Sequence, residues 1–235
     1  MTRRRSVLIL AGGRGTRLRG LHDGIPKPMI PVAGRPFLDY QIDFWRAQGA
    51  DDIIVSAGHL APVIARFLDA RPGARLLLEH APLGTGGAVR HALSLPGISD
   101  PFLVANGDSL LIAPLDALWH LAPADSAAIA ALESPDTSRF GALEFDPSAR
   151  LLAFAEKRPG SGWINAGAYS FRHHAVAAFP DGASSLETQV FPGLLARGGF
   201  IRVVPVRGDF IDIGTPESLR QAESFVSRHF PVARP

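Results

Sequence analysis

The sequence predicts an α/β fold: a doubly wound, mostly parallel, Rossmann-like sheet flanked by helices, with a small antiparallel extension. Three observations carry this. Strand-like and helix-like segments alternate four times in the first half, with short connections. The first strand, residues 6–11, is a continuous apolar run, as a central strand covered on both faces requires. Three loops able to bind a ligand follow Ala11, Glu79 and Ala105, and in such sheets ligands sit beyond the carboxyl ends of the strands.

The elements follow in order. Residues 12–24 form a glycine-arginine loop, with Gly12, Gly13 and Gly15 interleaved with Arg14 and Arg17 and followed by Arg19. Glycine lets backbone N–H groups approach an anion, and arginine forks match phosphate oxygens. An ordinary strand-to-helix turn would also hold glycine. Pro26, Pro28 and Pro31 exclude a helix and hold an extended path around Lys27. Pro36 suits the first position of a helix whose face is Phe37, Tyr40, Gln41, Phe44 and Trp45, ending near Gly49. A strand over 52–57, a helix over 61–68 and a strand over 75–79 come next. A second glycine-rich loop, 82–87, opens a helix over 88–93. The strand at 102–105 runs into Asn106-Gly107-Asp108-Ser109.

Beyond residue 125 the pattern changes. Strands over 127–132, 141–145, 151–155 and 163–171 are separated by turn signals, and form an antiparallel extension of the sheet or a small lobe. A helix over 186–197 follows, then strands over 201–206 and 210–213. The last helix starts at Pro216 after Thr215, a suitable N-cap, and runs to about residue 228. No repeat or long linker appears, so residues 1–235 are expected to form one domain, with halves of about 1–125 and 126–235.

Composition narrows the classes. With 46% apolar residues in 235, the chain can bury a proper core. No run of 18 apolar residues is present, and the basic start is followed by too short an apolar run for a signal peptide. Cysteine is absent, which excludes disulfides and thiolate metal sites and suits a cytoplasmic protein. A net charge of +2 does not mark a nucleic-acid binder. Of 24 Lys and Arg residues only Lys27 and Lys157 are lysines, so each stands out as a compact charge on a flexible stem.

Two familiar phosphate motifs are absent. The P-loop needs Lys-Ser/Thr after its glycine, and Gly15 is followed by Thr16-Arg17. The dinucleotide fingerprint needs a glycine where Leu18 stands. Asp108, at the end of a buried strand, could hold a hard cation such as Mg²⁺, or close an Asx-turn. Asp212, between isoleucines, is costly to bury unless paired with a cation or metal, or it faces outward from an edge strand. Together the two make a reasonable Mg²⁺ pair. Asn165 has a side-chain amide that sugar hydroxyls could satisfy. No Ser–His–Asp pattern is evident. The combination favours phosphoryl chemistry by positioning and charge neutralisation.

These residues resemble, in order, the motifs of the sugar-1-phosphate nucleotidylyltransferases (NDP-sugar pyrophosphorylases). The match runs from Leu10-Ala11-Gly12-Gly13-Arg14-Gly15-Thr16-Arg17-Leu18 and Pro26-Lys27-Pro28-Met29 to Pro82-Leu83-Gly84-Thr85-Gly86-Gly87-Ala88 and Asn106-Gly107-Asp108. It continues through Phe154-Ala155-Glu156-Lys157, Ile164-Asn165-Ala166-Gly167 and Phe210-Ile211-Asp212-Ile213-Gly214-Thr215-Pro216. The resemblance implies that an NTP and a sugar 1-phosphate give an NDP-sugar and pyrophosphate. It implies Mg²⁺ on Asp108 and Asp212. Arg17, Thr16 and the amides from Gly12 through Gly13 to Gly15 would hold the β- and γ-phosphates, with Lys27 at the α-phosphate. Leu10, Ala11, Gly12, Glu79, Gly84, Gly86, Gly87 and Asn106 would complete the nucleotide site. Lys157 would hold the sugar phosphate, and Glu156, Asn165 and Gly141 the sugar.

Within the family the chain looks most like the guanylyltransferases acting on D-glycero-α-D-manno-heptose 1-phosphate, through Asp136-Thr137-Ser138-Arg139-Phe140-Gly141 and the Glu79 block. A carboxylate at Glu79 suits guanine, whose N1–H and N2–H₂ are adjacent donors, whereas uracil offers one donor between acceptors. Uridylyltransferases for N-acetylmuramate 1-phosphate, mannose-1-phosphate guanylyltransferases and a catalytically silent sugar-nucleotide-binding regulator are the alternatives. Small-molecule substrates, no nucleic acid, no membrane and a monomer or homodimer are expected.

Overall fold

A computed structural model describes residues 4–13, 24–155 and 159–231 of the chain. In chain order its first half holds β1 (Ser6–Leu10), a 3₁₀ turn (Lys27–Met29), β2 (Pro31–Val32), β3 (Arg35–Pro36), α1 (Phe37–Ala47) and β4 (Asp52–Ala57). Then come α2 (Ala61–Leu68), β5 (Ala74–Leu78), α3 (Gly84–Ala92), β6 (Phe102–Asn106), β7 (Ser109–Ile112) and α4 (Asp116–Trp119). The second half holds β8 (Asp125–Ser134), β9 (Ala142–Phe145), β10 (Leu151–Ala155), β11 (Gly162–Phe171) and α5 (His173–Ala177). A π-helical turn (Leu186–Val190), α6 (Phe191–Ala196), β12 (Phe200–Val206), β13 (Asp209–Asp212) and α7 (Pro216–His229) complete it.

Nine strands form one sheet. Its parallel part runs β5-β4-β1-β6, and β11 lies antiparallel beside β6. The far edge of β11 pairs with β8, which pairs in parallel with β12; the near edge turns from β6 to β9 and β10. The second half is therefore an extension of the same sheet and not a detached lobe. No helix among the described residues is long and apolar enough to cross a membrane.

The continuous apolar runs have a direct cause. Successive side chains point to opposite faces, and both faces are covered. Val7 and Ile9 enter one core while Leu8 enters the other; Ile53 and Val55 alternate in the same way with Ile54. Residues of α1, α2, α4 and α7 fill the first core, and those of α3, α5 and α6 the second.

Several elements differ from the sequence reading. The Pro26–Pro31 segment does contain a helical turn, closed by Met29 N–H donating to Pro26 O at 2.7 Å. Proline's fixed φ fits a single 3₁₀ turn, and Pro28 is at a position where its missing N–H is not needed. Pro36 stands one residue before α1, in extended conformation. Helix α3 begins at Gly84, so the second glycine-rich loop is largely helix. Residues 186–197 divide into the π-helical turn and α6. The short strands β2, β3 and β7 and helices α4 and α5 were not read from the sequence. Thr215 caps α7 as expected, accepting from Ser218 N–H while Ser218 Oγ accepts from Thr215 N–H.

One buried ion network secures α1. Asp39 accepts from Arg35 Nε at 2.9 Å and from Arg71 Nε at 2.8 Å, joining β3 and α1 to the turn between α2 and β5. Burial pushes the Asp39 carboxyl up, but the hydrogen bonds from Arg71 and Arg35 outweigh it and hold the group below its usual range. A lowered folded pKa stabilises above the unfolded value, about 3.9 for Asp, and that contribution is lost as pH falls through the folded value. Asp39→Asn is therefore expected to cost on the order of 1–3 kcal/mol near pH 7. The gap to wild type should shrink below about pH 4, as read from urea midpoints across pH; a pH-independent gap would contradict the ion-network account.

Candidate active site

The site grows from the point where the parallel strand order reverses. From β1 the chain passes to β4 on one side and returns as β6 on the other, so a crevice opens beyond their carboxyl ends. Gly107 N–H donates to Leu10 O at 3.0 Å across this crevice. A Cβ at Gly107 would collide with that carbonyl, so only glycine lets the two chain segments meet here.

A cleft of about 420 Å³ opens above the junction. Leu10 at the end of β1 lines it with Ala11, Gly12 and Gly13 after it, as do Asn106 of β6 with Asp108 just beyond, Glu79 from the β5–α3 connection, Gly84 at the start of α3, and Lys27. Gly15, Thr16 and Arg17 lie outside the described residues. Glu79 is buried. Its Oε1 accepts from Ser56 Oγ at 2.8 Å, and its Oε2 from Leu83 N–H at 3.4 Å. A Cβ at Gly12 would come within 2.5 Å of Glu79 Oε1, so the missing side chain at Gly12 makes room for that carboxylate. Each carboxylate oxygen retains acceptor capacity toward the cleft.

Gly86 and Gly87 do not line this cleft. Both are buried inside α3 against the 182–190 segment: Gly86 N–H donates to Ser184 O at 2.8 Å, and side chains at either glycine would strike Ser184, Val190 or the Gly182 carbonyl. Their role is close packing of the helix. Gly84, with φ +66°, does line the cleft and turns the chain into α3.

Asp108 and Asp212 come together although the chain between them is long. Strand β13 pairs antiparallel with β7, setting Asp212 opposite Ser109, and Ile213 N–H donates to Asp108 O at 2.8 Å. Lys27 Nζ lies 2.5 Å from Asp108 Oδ2, and Arg139 Nη2 lies 3.1 Å from Asp212 Oδ2. Lys27 also reaches the second carboxylate's neighbourhood, since a Cβ at Gly214 would meet Asp212 Oδ1 at 2.7 Å and Lys27 Nζ at 3.5 Å. Asp212 accepts further from Gly214 N–H at 2.8 Å and is largely enclosed, so it is not an outward-facing edge residue. Among the described residues no three or more acidic or histidine side chains gather as a metal site.

A second cleft, of about 730 Å³, adjoins the first. Gly141, Asn165, Arg139 and Asp212 line it, and it shares Asn106, Asp108 and Glu187 with the first cleft. Asn165 Nδ2 donates to Tyr169 Oη at 2.8 Å and Oδ1 accepts from Gly167 N–H at 3.1 Å, so its amide is already partnered and oriented. Burial pushes the Tyr169 phenol up, which keeps it neutral. Glu156 and Lys157 lie outside the described residues.

Three residues were not singled out from the sequence. Gln41, on the apolar face of α1, donates from Nε2 to Asn106 O at 2.8 Å and Ser109 O at 2.7 Å, bracketing the turn that carries Asp108. A polar residue on that face was the available signal. Arg139 lies in a segment noted for its resemblance, without its charge being assigned. Glu187, in the π-helical turn, carried no signal in its spacing.

The model of the family described as nucleotidyl transferase matches residues 6–229. A mannose-1-phosphate guanylyltransferase from Mycobacterium tuberculosis is 35% identical over 225 residues, covering 90% of this chain and 61% of that protein. A mannose-1-phosphate guanylyltransferase catalytic subunit beta from Danio rerio is 30% identical with the same coverage, so the chain spans about three-fifths of these relatives' length. Among solved structures, HddC from Yersinia pseudotuberculosis complexed with GMP-PN superposes with a TM-score of 0.83 at 30% identity, covering 94% of this chain and 99% of that one.

Replacing Gln41 by leucine leaves the Asn106 and Ser109 carbonyls without their shared donor. The expected cost is about 1–3 kcal/mol of unfolding free energy, measured by urea denaturation. An unchanged midpoint would show that the turn stands without this brace.

Proposed function

The chain belongs to the nucleotidyl transferase family, and on that premise we propose that it joins a guanylyl group to a sugar 1-phosphate, releasing pyrophosphate. One observation carries the reading: two adjoining clefts meet at Asp108, within reach of Lys27 and Asp212. A nucleotide in the smaller cleft and a sugar phosphate in the larger would bring their phosphates to that meeting point.

The sugar phosphate oxygen attacks the α-phosphorus, the bond to the β-phosphate bridging oxygen breaks, and pyrophosphate leaves with that electron pair. No residue of the chain becomes covalently attached. Lys27 neutralises charge at the α-phosphate. Gly12 and Gly13 offer backbone N–H groups to the remaining phosphates, joined in this proposal by Gly15, Thr16 and Arg17. Asn165, Gly141 and Glu156 take the sugar, and Lys157 its phosphate.

Asp108 and Asp212 fit a Mg²⁺ ion. They are hard oxygen donors on adjacent strand ends, and each already holds a cationic side chain. Two carboxylates, with no third acidic or histidine ligand gathered beside them among the described residues, suit an ion that completes its shell with substrate phosphates. When bound, Mg²⁺ would supply charge neutralisation across the phosphates.

Guanine is favoured by the buried Glu79 carboxylate in the cleft wall, by the guanylyltransferase names of the relatives and by GMP-PN in HddC. The sugar is taken to have the manno configuration. The relatives' names favour mannose 1-phosphate, and the resemblance at 136–141 favours the heptose homologue.

Pyrophosphate release across GTP, UTP, CTP, dTTP and ATP, each with mannose-, heptose- and N-acetylmuramate 1-phosphate, tests the assignment. GTP with a manno-configured sugar should lead, and a preference for UTP would overturn the base assignment. Glu79→Gln should lower kcat/KM with GTP by about 10- to 100-fold. Asp108→Asn should abolish turnover with an unchanged unfolding midpoint; full activity with Mg²⁺ would refute the metal assignment.

A further inference from the structure

Three residues line both clefts: Asn106, which the resemblance places in the nucleotide site, Asp108, which the proposed reaction employs, and Glu187. The third, Glu187, sits in the π-helical turn, an arrangement often found at functional sites. Its Oε2 is held by two hydroxyls, Ser185 Oγ at 3.0 Å and Thr85 Oγ1 at 3.4 Å. Thr85 also accepts from Leu186 N–H at 2.8 Å, so the start of α3 and the turn fix the carboxylate together. Among the described residues Oε1 has no hydrogen-bond partner, and no cation pairs with Glu187.

A carboxylate at the junction of two phosphate-binding clefts needs a reason. It repels phosphate and accepts only from donors. Nearby, Ser185, Thr188 and Asn165 give the larger cleft an uncharged polar wall, while Lys27 and Arg139 are the cations at the carboxylate pair. The site is thus divided into a part where two cations stand paired with two carboxylates and a part with an anionic acceptor that no cation pairs with among the described residues. The substrates offer such an acceptor two kinds of donor, guanine N–H groups and hydroxyls; the proposed function gives the N–H groups to Glu79, which leaves the hydroxyls for Glu187.

Resting on the sugar-1-phosphate reading, we infer that Glu187 accepts a hydrogen bond from a carbohydrate hydroxyl of a bound substrate and thereby selects the hydroxyl pattern the site takes. The hydroxyl belongs to the sugar 1-phosphate or to the nucleotide ribose. Both present the same chemistry at the junction.

The test is a cycle of deleted hydroxyls. Wild type, Glu187→Gln and Glu187→Ala are compared with mannose 1-phosphate and its 2-, 3-, 4- and 6-deoxy forms, and with GTP, 2′-deoxy-GTP and 3′-deoxy-GTP. Binding is followed by calorimetry and turnover by pyrophosphate release. Glutamine keeps the shape of the side chain, and unfolding midpoints report whether each variant is folded. Wild type should lose about 10- to 100-fold in affinity on removal of one particular hydroxyl. The variants should lose less than a few-fold at that position and the wild-type amount at every other. A sensitive position on mannose identifies the sugar as the source, and one on ribose the nucleotide. Equal losses in wild type and variants at all positions would overturn the role of Glu187. If wild type binds the panel but releases no pyrophosphate, the proposed reaction falls, and the binding cycle still decides the role of Glu187.

Discussion

The constraint on which the site depends is the pairing of β7 with β13. Asp108 follows Asn106-Gly107 in a turn, with its side chain still partly open to solvent. The two-stranded ribbon sets Asp212 against Ser109 and ties Ile213 to the Asp108 carbonyl, turning two distant aspartates into one charged centre. Two further contacts hold the other side. Gly107 lets β6 meet Leu10, and Gln41 grips the carbonyls of Asn106 and Ser109. Lys27 and Arg139 then balance the carboxylates, so the centre holds opposite charges in close contact.

Much of the fold was legible because its signals are local. Residues 52–57 and 61–68 match β4 and α2, since a buried parallel strand and an amphipathic helix each declare themselves within a few residues. Thr215 and Pro216 announced α7 by capping chemistry. The errors arose where tertiary contact overrides local preference. Gly86 and Gly87 read as loop, yet they are helical, and the 182–190 segment packs against them too closely for a side chain. β7 was missed because its partner lies across the chain.

The site was legible in part for the same reason. Lys27, Asp108 and Asp212 were marked by residue type and by resemblance, and the structure brings all three together. Asn165 was read as an amide seeking partners and is already held by Tyr169 and Gly167. Glu79 was named without a known position, and Ser56 and Gly12 show how it is seated. Gln41 and Glu187 depend on contacts between elements far apart in sequence, which residue spacing does not report.

The continuity of the sheet has a mechanical consequence. Ala168–Phe171 of β11 are paired with residues 102–105 of β6, so the two halves share a hydrogen-bonded lattice. A hinge rotation of one half against the other would have to break that ladder. Any tightening around bound substrates falls instead to segments that border the clefts outside the sheet: the β5–α3 connection, residues 135–141 and the π-helical turn. Grip is thereby separated from support. Strand ends and the β7–β13 ribbon hold the charged centre at fixed spacing, and Arg139 joins the 135–141 segment to it through Asp212.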